Sequence, residues 1–304
     1  MVSPKLRKVH INKKVLVPKG EFDKRFLYHY LNTLKLPDNV GYSRHFKFLK
    51  EKAVVKPPLE EQKHIAAILD KAEAIRHKRR QAIQLADEFL RAVFLDMFGD
   101  PVSNTKNWKI NKIEEIGIVQ GGLQLTPKRK SYPIKLPYLR VANVFRNKLD
   151  LHEIKTIKVT GAEFSRALLE NEDILIVEGH GNREEIGRSA IWDGSIKQCT
   201  HQNHLIRLRI DKKIAFPKFV SAFLNSSGGR RQLFKYGKTT SGLNTICTSN
   251  IKQTELYLPP LGLQKKFVNI INNIEELRKT FMIITDEQNT LLKSLSQRAF
   301  RGEL

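Results

Sequence analysis

The sequence predicts an α+β protein: β-rich domains joined by two long helices that form an antiparallel coiled coil. Three observations predict it. Residues 57–99 and 259–304 carry apolar side chains every three or four positions, with no glycine or proline between their entry turns and their ends. Residues 100–258 instead break into short apolar runs separated by glycine- and asparagine-bearing turns. Charge divides at the same places. Residues 1–56 hold 14 basic and 4 acidic side chains, residues 57–99 hold 7 of each, residues 100–258 hold 26 and 15, and residues 259–304 hold 7 and 5. Two basic modules therefore alternate with two nearly neutral spacers.

The neutral segments resemble each other at an offset of 202 residues. PPLEEQKHIAAILDKAEAIR begins at Pro57 and PPLGLQKKFVNIINNIEELR at Pro259. Pro57, Leu59, Gln62, Lys63, Ile68, Glu73 and Arg76 meet Pro259, Leu261, Gln264, Lys265, Ile270, Glu275 and Arg278. Leu90 meets Leu292 and Phe98 meets Phe300. This period is too long for a solenoid and reads as a duplicated unit of basic domain plus helix.

Taken in order, residues 1–56 form a short basic module. Within it Phe22–Leu31 resembles Phe216–Leu224 of the later module. Pro57-Pro58 opens the first long helix, because proline lacks only an N–H that would be unpaired there. Its predicted seam includes Ile65, Ile68, Ala72, Ile75 and Leu90. Gly99-Asp100-Pro101 stops it. The second helix starts at Pro259-Pro260, with a seam through Ile270, Ile274, Leu277, Leu291 and Leu295. Some 38 helical residues span roughly 55–60 Å, too long for one small domain to cover, so the two helices are expected to pair.

In the module 100–258, strands are predicted at Ile113–Val119, Tyr138–Val144, Asp173–Val177, Ser189–Trp192 and His204–Ile210, with a helix over Phe216–Asn225. Thr239–Gly242 reads as a loop. Loops of this composition suit DNA. Asparagine and glutamine bond bidentately to adenine, and arginine to guanine. Candidates for base edges are Gln124, Arg140, Asn143, Asn182, Arg183, Gln202, Asn203 and Asn244. Candidates for phosphate are Lys128, Arg129, Lys130, Arg188, Arg230, Arg231, Lys235 and Lys238, with Ser241 in the loop that follows.

The formal net charge of +23 implies an anionic partner, with nucleic acid first. No apolar run reaches the ~18 residues of a membrane span. The N-terminal MVSPKLRKVHINKK lacks the apolar stretch of a secretory signal. Cys199 and Cys247 make no disulfide framework. An intracellular protein is expected.

Two catalytic readings stand beside this one. Cys199, His201 and His204 could bind a metal, though zinc wants a fourth ligand and paired spacing. Asp173, Glu178 and His180 could serve a metal-dependent nuclease, yet the same run is what a buried strand followed by a glycine turn looks like. Gly179 and Gly181 give only a fragment of a phosphate loop. A methyltransferase would need a glycine-rich cofactor loop and an Asn/Asp-Pro-Pro-aromatic motif, and the latter is absent.

The helix entries, LADEFLRAVFLDMFGDP, the C-terminal LLKSLSQRAFRGEL, LPYLRVANV and GNREEIGRSAIW together resemble the specificity subunit of type I restriction–modification systems. The resemblance covers essentially the whole chain. It implies a non-catalytic, cytoplasmic prokaryotic protein that reads a bipartite double-stranded DNA site through target recognition domains. It further implies modification subunits and a restriction–translocase subunit as partners. S-adenosylmethionine, ATP and magnesium would sit on those partners, with no cofactor or metal on this chain. Under the resemblance, residues 1–56 are the end of a first recognition domain, 57–99 the central conserved helix, 100–258 a whole recognition domain and 259–304 the distal conserved helix. Most of a first domain is missing from this pattern, so a second copy of the chain is a further expected partner. The competing reading is a truncated or half-subunit that acts as a coiled-coil adaptor and binds DNA nonspecifically.

Overall fold

The computed structural model describes residues 20–34, 56–240 and 243–300. It divides into two compact units, Met1–Gln84 with Leu277–Leu304, and Leu85–Glu276. In chain order come α1 (Lys24–Thr33), α2 (Leu59–Phe98), β1 (Ile110–Lys112), α3 (Ile113–Ile116), β2 (Gly117–Gly121), β3 (Ile134–Leu139), β4 (Val144–Phe145), β5 (Lys148–Leu149) and β6 (Lys155–Val159). Then follow α4 (Gly161–Ala167), β7 (Ile174–Val177), β8 (Gly179–His180), β9 (Ser189–Ile191), β10 (Thr200–His201), β11 (Leu205–Ile210), α5 (Pro217–Asn225) and α6 (Ser227–Tyr236). The chain closes with β12 (Lys238–Thr240), β13 (Leu243–Thr245), α7 (Thr248–Lys252), β14 (Glu255–Tyr257) and α8 (Leu261–Ala299). No described helix is long and apolar enough to cross a membrane.

In the first unit, the Asp23 carboxylate caps α1 by accepting from the Arg25 and Phe26 amides, both at 2.9 Å. Phe26 is fully buried with Ile65, Ala66 and Leu69 of α2, and Leu292 and Phe300 pack against them. Farther along, Arg79 donates to Gln288. Leu69 thus meets the end of α8 and Arg79 an earlier turn, so the two helices run antiparallel here.

The second unit is built on an antiparallel sheet ordered β2-β11-β7-β9. Of its central strands, β7 is apolar on both faces, while β11 carries Arg207 and Arg209 on one of them. Ile174, Ile176, Ile206, Leu208 and Ile210 point into one core, with Phe219, Phe223 and the ends of the long helices. Leu175, Val177 and Leu205 point the other way, onto Trp192, Leu139 and Cys199. A mixed sheet, β10-β3-β6, covers a third cluster around Leu123, Tyr138 and Val159. A third sheet, β12-β13-β8, stands at one end. Gly99 ends α2 in the left-handed region (φ 82°), and the Lys106 ammonium and the Trp108 indole N–H bond to the last-turn carbonyls of Met97 and Phe98.

The duplication seen in the sequence recurs in the packing of each unit. Phe26 meets Phe300 edge-to-face at 5.3 Å, and Phe219 meets Phe98 edge-to-face at 4.9 Å. Arg25 pairs with Asp70 and Glu73 in the first unit. Lys218 takes the same places in the second, bonding to Asn272 and Glu275.

Four sequence expectations are corrected. Ile113–Ile116 is a helical turn, because Ile113 and Ile116, three apart, are both fully buried in the same core. The predicted strand Tyr138–Val144 stops at Leu139, where Asn143 folds residues 141–143 into a 3-10 turn. Strands β12 and β13 continue into the expected Thr239–Gly242 loop, of which residues 241 and 242 lie outside the described residues. The seam is also shifted. Ile65 is buried and Ala72, Leu90, Ile270 and Ile274 are half-buried, but Ile68, Ile75, Leu277 (55 % exposed) and Leu291 (59 %) face solvent. The Leu295 side chain lies outside the described residues. Apolar residues occupy two neighbouring stripes on these helices, and a 3.5-residue repeat drifts from one to the other on a 3.6-residue helix.

Candidate nucleic-acid interface

Four connections meet at one end of the second unit. The Glu178 N–H donates to the His204 carbonyl at 3.0 Å, and the Ile246 N–H to the Glu178 carbonyl at 2.8 Å. Leu123 bridges Gln202, and the Asn203 N–H donates to the Leu123 carbonyl at 3.0 Å. His180 pairs with Asn244 in the hairpin β12-β13. Segments 121–125, 178–182, 201–204 and 243–246 are therefore stitched into one rim. Gly122 is required there, because a Cβ at that position would lie 2.2 Å from the Gln202 carbonyl oxygen.

On this rim Gln124 and Asn182 are exposed, and Gln202 and Asn203 half-exposed. These are the polar amides that composition nominated for base edges. Arg183 is also exposed, its guanidinium 4.0 Å from the centre of the Phe234 ring. Lys128 and Lys130 stand exposed on a 3-10 turn, as do Arg231 and Lys235 on α6. Only the backbone of Lys238 is described, in β12, and Ser241 lies outside the described residues.

Several nominated residues are occupied within the fold, which corrects their reading as contact residues. Asn143 is buried. Its Oδ1 accepts from the Arg140 N–H at 2.9 Å, and its Nδ2 donates to the Asp150 and Glu153 carbonyls at 2.8 and 3.0 Å. Arg140 itself pairs with Glu153 at 3.0 Å. Arg129 is buried in a bidentate pair with Glu163, both bonds 2.9 Å, which holds that carboxyl below its usual range. Arg188 is buried against Glu185 at 2.7 Å and donates to the Val141 carbonyl. Asn244 is buried and donates to the Gly181 carbonyl at 3.2 Å. Arg230 bonds the Glu184 carboxylate at 2.8 Å. Sequence pattern cannot separate such residues from free ones, since the partner lies 3 to 63 positions away.

The two catalytic readings lose their geometry. Asp173 is buried, accepts from Arg209 Nε and Nη2 at 2.8 Å each, and accepts the Glu170 N–H at 2.7 Å. It is a structural ion pair. Cys199 is buried, which pushes its thiol up to about 12. The His201 ring is fully buried, and burial together with the Arg207 charge pushes it down to about 3. His204 lies on the rim instead. Among the described residues, only His29, Asp70 and Glu73 gather three such ligand atoms, and there the Arg25 guanidinium already lies against both carboxylates.

The sequence offers Glu178 only as a carboxylate of the nuclease reading. It sits at the centre of the rim, half-buried, and burial raises its carboxyl above the usual range. The available signal was an acidic side chain in a strand-to-loop turn of a strongly basic module.

The fold and rim define a β-rich module with polar amides at one end, carried on long helices. A family model described as the type I restriction modification DNA specificity domain matches residues 8–85 and 105–291, and the chain belongs to that family. It is 28% identical over 274 residues to the type I restriction enzyme EcoKI specificity subunit of Escherichia coli K12, covering 82% of this chain and 57% of that one. It is 26% identical over 263 residues to the StySPI specificity subunit of Salmonella potsdam, with the same shares covered. The chain thus spans somewhat more than half the length of these relatives. The crystal structure of a type I restriction–modification S subunit from M. genitalium shares the fold, with a TM-score of 0.50 and 14% identity over 92% of this chain and 73% of that one.

Proposed function

We propose that this chain reads DNA sequence within a type I restriction–modification complex, with the rim of the second unit facing base edges. The observation that carries this is the gathering of Gln124, Asn182, Gln202 and Asn203 on one stitched rim in a module with 26 basic and 15 acidic side chains. Exposed cations, Lys128 and Lys130 among them, would take phosphate and set register without reading sequence. The long helices carry the module and offer exposed apolar residues, including Leu85, Phe89 and Leu95, to partner subunits.

In this reading the chain performs no chemistry. Modification subunits hold S-adenosylmethionine, and a restriction–translocase subunit uses ATP and magnesium. The DNA site is bipartite, with the second half read by another recognition domain, for which a second copy of this chain is one source. The test is selection from a randomised duplex library by the full chain, in salt titration. Enrichment of a defined motif supports the reading. Binding with a steep salt dependence and no enriched motif would leave only the nonspecific adaptor.

A further inference from the structure

The half-buried acid at the centre of the rim is out of place by charge alone. The Glu178 backbone is held from both sides by His204 and Ile246, which places its side chain at the rim. Among the described residues no donor is within hydrogen-bond reach of that carboxylate. His204 Nδ1 lies 3.8 Å from it. Other carboxylates of the module, at Glu163, Glu185 and Asp173, are satisfied by arginine. This one has no arginine against it among the described residues, and His204 stands beside it.

We propose, resting on the DNA-reading function above, that Glu178 is a specificity-determining residue that accepts a hydrogen bond from the exocyclic amino group of adenine or cytosine. A carboxylate next to a phosphate backbone is repelled, so it gains nothing from nonspecific contact. In the major groove adenine N6 and cytosine N4 are donors, whereas guanine and thymine turn acceptors toward the same space. A carboxylate at this place therefore accepts the first pair and rejects the second, both by a lost bond and by lone-pair repulsion. A burial-raised carboxyl costs less to desolvate when the duplex closes over the rim.

The experiment compares motifs selected by the full wild-type chain, Glu178→Gln and Glu178→Ala from one randomised duplex library. It then measures binding to the selected duplex with the implicated adenine replaced by purine, or the cytosine by pyrimidin-2-one, each lacking the amino group. The expected result is relaxed preference at one position in both variants, with wild-type melting curves. Removing the amino group should weaken wild-type binding about ten- to hundredfold and leave Glu178→Ala nearly unaffected. Which analogue acts identifies the base. Variants that select the wild-type motif while binding all duplexes more tightly would overturn the assignment and leave the DNA-reading function standing. A wild-type chain that selects no motif would overturn both. The base analogues need no protein variant, so a poorly folding mutant does not decide the outcome.

Discussion

Gln62 and Gln264, 202 residues apart, make the same joint twice. Each Nε2 donates at 2.8 Å to the carbonyl of the proline five residues before it, Pro57 or Pro259. Each Oε1 accepts the backbone N–H of a residue that starts a packed helix, Asp23 at 2.8 Å or Phe216 at 3.0 Å. Both side chains are fully buried. Gln264→Leu keeps the volume but strands a buried N–H and a carbonyl. It should cost about 1–3 kcal/mol, measured by urea unfolding, and a wild-type midpoint would show the joint to be incidental.

Asp173 is a pillar of the sheet, with its carboxylate divided between Arg209 and the Glu170 amide. Asp173→Ala removes two of the bonds of a partly buried Arg209 and leaves it the Glu170 carboxylate and the Leu168 carbonyl. Arg209 keeps some solvent, so the loss should lie near the low end for a broken buried pair, about 3 kcal/mol. Denaturant unfolding checks this; an unchanged stability would return Asp173 to the list of candidate functional acids.

His201 should make the second unit acid-sensitive. Its ring is buried, and burial together with the Arg207 charge pushes its titration down to about 3. The folded state then stays neutral where the unfolded chain, at an ordinary ~6.5, takes a proton. Stability is full above pH 6.5 and falls between there and about 3, by up to about 1.4 kcal/mol per pH unit. Stability–pH curves of wild type and His201→Phe should separate across that window. Parallel curves would mean that His201 does not titrate differently on folding.

The shifted seam gives a paired test. Phe267 is fully buried against Phe94 and Phe98, so Phe267→Ala should cost about 3–5 kcal/mol. Leu277 is more than half exposed, and Leu277→Ala should stay within about 0.5 kcal/mol. Both positions lie on the apolar pattern of the sequence, and thermal melts check which is covered; a loss at Leu277 as large as that at Phe267 would return Leu277 to the seam.

On the DNA side, Gln202→Ala should relax preference at one base pair by about 1–3 kcal/mol. Lys128→Ala should weaken all sequences alike and reduce the salt slope by about 1. Arg129→Ala should instead lower the melting temperature, because it empties the pair with Glu163. Filter binding on matched and scrambled duplexes, with melting curves alongside, separates the three behaviours.

Much of the architecture was legible because it is periodic. Proline pairs and apolar spacing marked both long helices, and the apolar runs at Asp173–Val177 and His204–Ile210 marked the central strands. The seam was harder, since Ile65 and Ile68 are equally apolar and only the partner helix decides which one is covered. The site was legible in composition and not in detail. Asn143 and Asn182 look alike as letters, but Asn143 spends its whole amide on backbone at positions 140, 150 and 153, while Asn182 stands exposed. Glu178 was visible as an acid, but not in its surroundings. That no described residue hydrogen-bonds its carboxylate is something a sequence does not display.

The repeated glutamine joint also has a consequence for engineering. Each joint asks little of the domain it carries: a backbone N–H at a helix start, and an aromatic ring in the first turn, Phe26 or Phe219, to meet the phenylalanine of a long helix. Nothing in that request concerns the strands or loops that lie beyond. Under the proposed function, a recognition module would therefore be a cassette with a standard socket. One could be exchanged for another by cutting at the proline pairs, changing what is read and leaving the carrier untouched.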